Sequence, residues 1–228
     1  DEQNTDSDTA FVNVVPAGGG GIVSGELKRW HKVSVDFQGP ATSETAATNP
    51  FTDYRLDVTF THQGTGKNYV VPGFYAADGN AANTGAASGN VWRVNFAPDE
   101  IGNWTYVASF RTGTEVAVSM AANPGSSAGF FDGANGSLVV AASDKTGADF
   151  RAENHGLIKN RGDHYLTFAS GKVFLKGGPD IPENFFGFDG FDNTPSAGHD
   201  FDQHIQDWNA GDPDWDDDDA DSIANDGR

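Results

Sequence analysis

The stretch Val91-Trp92-Arg93-Val94-Asn95-Phe96-Ala97-Pro98-Asp99-Glu100-Ile101-Gly102-Asn103-Trp104-Thr105-Tyr106-Val107-Ala108-Ser109-Phe110 decides the fold class. Trp92, Val94 and Phe96 alternate onto one face of an extended segment, and Trp104, Tyr106, Ala108 and Phe110 resume the period of two after a Pro-Asp-x-x-Gly turn. The pattern predicts two antiparallel strands joined at a corner, with their aromatic faces directed into the space between two sheets. Working outward, further short strand candidates lie at Lys32 to Phe37, Arg55 to Thr61, Asn68 to Val71, Glu115 to Ser119 and Ser137 to Ala141, and Phe11 to Val15 is a possible addition. Each is bounded by turn chemistry, and no long amphipathic helix is visible. The expectation is an all-β antiparallel sandwich.

Composition agrees. The 228 residues include 29 Gly, 10 Pro and 12% aromatic residues, the turn-rich and aromatic profile of a β protein. The formal charge of −19 argues against nucleic acid and against anionic membranes, because both partners require clustered Lys and Arg. No run approaches the ~20 apolar residues of a membrane span. With no cysteine, disulfides and thiolate chemistry are excluded. The absence of an initiator Met and of a leader at Asp1 fits a mature exported product or a piece of a longer chain. A secreted protein of a saline setting suits this acidity.

Three regions emerge. Residues 1–23 are acidic and carry Gly18-Gly19-Gly20-Gly21, so they read as a linker; 24–142 hold the strands of the sandwich; 143–228 change in texture. In the last region His164 to Phe168 and Lys172 to Leu175 predict a hairpin around Ala169-Ser170-Gly171. From His199 onward eleven Asp and one Arg supply −10 of the total charge. Ala76 to Asn90, rich in small residues, reads as an insertion in the sandwich.

The order Trp30 to Phe37, Asn49-Pro50-Phe51, Leu56 to Phe60, Val71-Pro72-Gly73-Phe74-Tyr75, Val91 to Pro98 and Gly102-Asn103-Trp104-Thr105-Tyr106 resembles a known family. It is similar to the immunoglobulin-like domain at the N-terminus of bacterial, marine-type glycoside hydrolases, over roughly residues 24 to 112. Downstream, His155-Gly156-Leu157, His164-Tyr165-Leu166 and Gly171 to Gly178 resemble the bridge into the first strand of a (β/α)8 barrel, and Pro182-Glu183-Asn184 onward resembles its first loop. The resemblance implies that the catalytic carboxylates would follow later strands beyond Arg228. It further implies an immunoglobulin-like module, non-catalytic and either carbohydrate-binding or scaffolding, ahead of a catalytic barrel in the same polypeptide. Two rivals stand beside it: a fragment of the glycoside hydrolase itself, with Asp180, Glu183 and Asp192 as its available carboxylates, and a structural spacer.

A glycan site needs aromatic faces for sugar C–H surfaces and polar groups at the rim. The basic, aromatic cluster Lys28-Arg29-Trp30-His31-Lys32 nominates Trp30, Arg29 and Lys32, which could meet sulfate or carboxylate groups of an anionic algal polysaccharide. The bland alternative is a solvated strand entry with Trp30 packed beneath the linker. Tyr75, Asp78 and Trp208 complete the ligand candidates, whereas Trp92 and Trp104 fit the inward phase of core strands. Asp214, Asp216 and Asp218 match the first three ligand spacings of an EF-hand loop, a possible Ca2+ site. Asp219 and Asn225 stand where that loop requires Gly and Glu, so a solvated acidic loop competes with it. The dispersed histidines form no zinc signature, and Arg161-Gly162-Asp163 is a tripeptide that recurs by chance.

Overall fold

The computed structural model describes residues 20–162 and 164–175. Two antiparallel sheets face each other. The first has the order β1 (Ile22–Gly25), β2 (Val33–Ser43), β6 (Ser88–Phe96) and β5 (Phe74–Tyr75). The second has β4 (Asn68–Pro72), β3 (Tyr54–His62) and β7 (Gly102–Thr112), with β9 (Asn135–Val140) along most of the far side of β7 and β8 (Ser126–Ser127) at its end. Strands one, two, five and six thus share one sheet, and three, four, seven, eight and nine share the other. The chain therefore crosses between the sheets after strands two, four and six.

The period-two pattern places the core. Trp92, Val94 and Phe96 of β6 are buried, as are Trp104, Tyr106, Ala108 and Phe110 of β7. The two strands are antiparallel in sense but do not pair: β6 bonds to β2 and β5, and β7 bonds to β3, β8 and β9. The corner therefore carries the chain from one sheet to the other, and the aromatics meet across the gap. Phe96 and Trp104 pack edge to face at 5.1 Å, Trp92 and Phe110 at 4.8 Å, and Phe60 stacks on Phe96 at 4.2 Å. Each such ring contributes about 1.5–3 kcal/mol by burial alone.

Polar groups lock the corner. The buried Asp99 carboxylate accepts from Tyr69 Oη at 2.7 Å and from Lys67 Nζ at 3.1 Å, and the Trp104 indole donates to the Glu100 carbonyl at 3.0 Å. Lys67 also pairs with Glu100. Gly102, at φ 117°, ends the turn in a conformation costly for any side chain.

Three expectations change. Glu115 to Ser119, expected as a strand, is a turn of 3-10 helix over Val116–Val118, entered by Glu115 at φ 53°. Only Val116 of that turn is buried, which leaves too narrow an apolar face to recruit a strand. The strand β1 begins at Ile22, within the stretch expected to be linker, because Val23 fills the core completely while pairing with Val35. The insertion Ala76 to Asn90 contains α1 (Ala81–Thr84), closed by Gly85 in the left-handed region, and its end is already β6. Phe11 to Val15 lies outside the described residues.

The segment after β9 folds back on the sandwich. Lys28 and Ala141 form an isolated parallel bridge, with Arg29 N donating to Ala141 O and Ala141 N to Leu27 O, both at 2.9 Å. Beyond it β10 (Ile158–Asn160), β11 (Leu166–Phe168) and β12 (Val173–Phe174) form a small antiparallel sheet. The expected hairpin is its β11–β12 pair, closed by Phe168 N donating to Lys172 O at 2.8 Å. Phe150, His155, Phe168 and Phe174 make its apolar centre. The segment expected to begin a (β/α)8 barrel, with Asp180, Glu183 and Asp192, lies outside the described residues.

Candidate functional site

The basic, aromatic segment sits at the seam between the sandwich and the 141–171 segment. Leu27 and Trp30 both adopt left-handed backbone, at φ 48° and 68°, a cost of about 1–2 kcal/mol each that only tertiary packing can offset. Trp30 N donates to Pro98 O at 2.8 Å, and its half-buried indole lies against Gly156. The charges are engaged as well. Lys28 Nζ lies 2.6 Å from Asp144 and 3.2 Å from Glu26, and Arg29 pairs with Glu153 while its guanidinium lies 5.8 Å from the Trp30 ring. Lys32 is exposed and enters no ion pair among the described residues. Of the three residues nominated here, Arg29 and Trp30 therefore face protein, and Lys32 faces solvent.

His31 is buried beneath them, 2.9 Å from Glu26 Oε2 and 2.9 Å from Ser143 Oγ. Burial and the nearby Arg151 and Lys28 push its pKa below the ordinary histidine value, against the pull of Glu26 and Asp144. Glu26, His31 and Asp144 bring three ligand atoms within 4.8 Å of one another, close enough to hold a cation. The Lys28 ammonium already bridges the two carboxylates, so a metal would have to displace it.

The second place is the edge where the sheets part between β4 and β5. The chain crosses there through Val71-Pro72-Gly73-Phe74-Tyr75. Gly73 donates to Leu56 O at 2.8 Å, and a Cβ on it would stand 2.4 Å from Leu56 Cδ2, so only glycine allows the crossing. The crossing turns Tyr75 inward and Phe74 outward. Tyr75 is buried, its hydroxyl donating to Thr42 O at 2.7 Å and lying 3.2 Å from Gly89 O.

Here a cleft of about 490 Å3 opens, lined by Phe51, Tyr54, Arg55, Phe74, Tyr75 and Met120 among others. Asp78 is exposed, and its carboxylate accepts from Asn80 N and Thr84 Oγ1, both at 2.7 Å, which orders the turn before and through α1 and holds its pKa below the usual carboxylate range. It does not line the cleft. Trp208, Asp214, Asp216 and Asp218 lie outside the described residues.

Sequence reasoning found Tyr75 but missed Phe51, Arg55, Phe74 and Met120. A signal existed for two of them. Phe74 alternates with inward Tyr75, and Phe51 follows Pro50 in a turn, so both were legible as exposed aromatics. That they share one cleft with Arg55 depends on strands far apart in sequence.

The carboxylates of the described unit hold structure together. Asp36 takes a bidentate pair from Arg93 at 2.6 Å, Asp57 pairs with Arg55, Asp149 with Arg151, and Asp53 accepts from the backbone of Asn49 and Glu115. Those with displaced pKa values, Glu26, Asp53, Asp78, Asp144 and Asp149, all lie below the ordinary range: burial opposes the shift in each and is the largest single influence at Glu26, but hydrogen bonds from neighbouring donors and nearby positive charges outweigh it.

The fold and its edges thus define an all-β sandwich with a docked segment that carries a small second sheet. Residues 26–111 match a family described as "Domain of unknown function (DUF5060)". Among solved structures, the chain is similar to "a putative glycoside hydrolase" from Bacteroides vulgatus, at 24% sequence identity and a TM-score of 0.41. That match covers 64% of this chain and 20% of the other, so the chain spans about a fifth of that protein's length. No curated protein matches.

Proposed function

We propose that this chain is a non-catalytic accessory module of a secreted polysaccharide-degrading enzyme, carbohydrate-binding or scaffolding in role, with algal polysaccharide as the substrate class of the parent protein. The observation that carries the reading is the state of the carboxylates. A glycosidase acid needs a raised pKa, and its partner needs a free oxygen at the scissile bond. Every displaced carboxylate of the described unit moves the other way.

The scaffolding half of the proposal has its own support. Lys28, Arg29, Trp30 and His31 are committed to residues 143–171, an arrangement suited to fixing the direction in which the chain leaves the sandwich. The test is affinity electrophoresis of the whole chain through gels of neutral and anionic polysaccharides, paired with a reducing-end assay. Retardation without sugar release is expected. Reducing ends released by the chain alone would sink the non-catalytic reading in favour of the hydrolase fragment, and passage unretarded through every gel would favour the spacer.

A further inference from the structure

The cleft at the β4–β5 edge has the character of a ligand site of definite chemistry. Its volume, about 490 Å3, falls in the range of roughly 300–1,000 Å3 typical of small-molecule pockets. Its aromatic floor is braced from within: Tyr54 and Tyr75 each pack on buried Trp92, at 5.2 and 5.3 Å. Its rim is apolar and open. Phe51 is 52% exposed, Phe74 45%, Val118 64% and Met120 99%.

Within this largely aromatic frame lies one charged pair. Arg55 and Asp57, two residues apart on β3, lie with Nε 2.6 Å from Oδ2, and Arg55 Nη1 donates to Ser119 O at 3.0 Å. Arg55 Nη2 and Asp57 Oδ1 have no hydrogen-bond partner among the described residues. The cleft therefore offers a donor and an acceptor side by side, with their charges cancelled.

We infer that this cleft binds a neutral glycan, one or more sugar rings lying on Phe51 and Phe74 with hydroxyls on Arg55 Nη2 and Asp57 Oδ1. The inference rests on the accessory-module reading and gives it a site. An apolar protein surface seated here would strand both polar atoms, at about 1–3 kcal/mol each. A sugar hydroxyl donates and accepts, and satisfies both. An anionic sugar would meet the Asp57 carboxylate beside a half-occupied guanidinium, in the field of a chain of net charge −19. A neutral ring meets neither penalty.

Met120 supplies the test, because it is the sole methionine of the chain and lines the cleft. The whole chain labelled with methyl-13C methionine is titrated with neutral oligosaccharides of glucose, galactose, xylose and mannose, and separately with alginate and sulfated galactan oligomers. Met120→Leu identifies the resonance against any initiator methionine. A saturable shift with at least one neutral sugar is expected. Phe74→Ala should weaken it about tenfold, the scale of losing one well-packed aromatic contact. Phe51→Ala, in a turn outside both sheets, gives the same readout should Phe74→Ala misfold, and Trp30→Ala should leave the titration unchanged.

The inference is overturned if Met120 responds to no neutral sugar, if only charged oligomers shift it, or if the shift survives loss of both phenylalanines. Retardation of the chain by glycan gels with Met120 unmoved would remove the cleft and leave the accessory reading standing. Release of reducing ends would remove the accessory reading whatever Met120 does.

Discussion

Gly156 is the point at which the docked segment meets the sandwich, and replacing it with alanine should loosen that segment while leaving the sheets intact. Two independent costs arise. Gly156 sits at φ +78°, and a Cβ there would stand 2.7 Å from both Cε2 and Cζ2 of Trp30 and 3.1 Å from the Ala169 methyl. The backbone cost is about 1–2 kcal/mol and the overpacking about 1–3 kcal/mol, so about 2–5 kcal/mol should fall on the docked segment. Gly147→Ala provides the control, since Gly147 has φ +68° but a Cβ there would meet nothing within 4 Å, and so bears the backbone cost alone.

Amide hydrogen exchange separates the two. Gly156 N donates to Phe150 O at 3.0 Å and Ser170 N to His155 O at 3.2 Å, and both bonds are internal to the segment, so they are lost when it unfolds locally. Through local opening, these amides should exchange roughly 5- to 150-fold faster in Gly156→Ala than in Gly147→Ala, the factor equivalent to the overpacking difference of about 1–3 kcal/mol. Ladder amides of β3 and β7 should not change. Equal exchange in the two variants would refute the clash with Trp30. Equal acceleration of the β3 and β7 ladders would refute the idea that the segment opens on its own.

Three further outcomes follow from the same geometry. Tyr75→Phe should lower stability by about 1–2 kcal/mol in a denaturant titration, because the Thr42 carbonyl loses its hydroxyl donor; an unchanged midpoint would contradict it. Asp36→Asn should cost about 1 kcal/mol, the modest value of a partly exposed bidentate pair with Arg93, and high salt should shrink the difference. Burial lowers the His31 pKa in the folded chain below that of the unfolded chain, which takes up a proton near pH ~6.5, so its contribution is complete above that pH and is lost as the pH falls. A Tm series from pH 7.5 to 5 should therefore fall more steeply for the wild type than for His31→Gln, and parallel curves would sink the assignment.

The alternation of Trp92, Val94 and Phe96 with polar neighbours, resumed by Trp104, Tyr106, Ala108 and Phe110, was enough to establish a two-sheet β protein and most of its strands. A period of two is a local property, visible wherever one face of a strand is buried. It could not show that the strands on either side of the corner belong to different sheets, because pairing is chosen by the register of residues far apart in sequence. For the same reason β1 was invisible in an apparent linker: Val23 becomes core only when β2 lies beside it. At the sites, the residue types at Trp30 and Tyr75 stood out in the sequence, but their surroundings did not. Tertiary structure alone set Arg29 against Glu153 and Trp30 against Gly156, and brought Phe51, Arg55, Phe74 and Met120 to one cleft. Composition and spacing report what each side chain is able to do; which partners it meets is decided by the non-local closure of the two sheets.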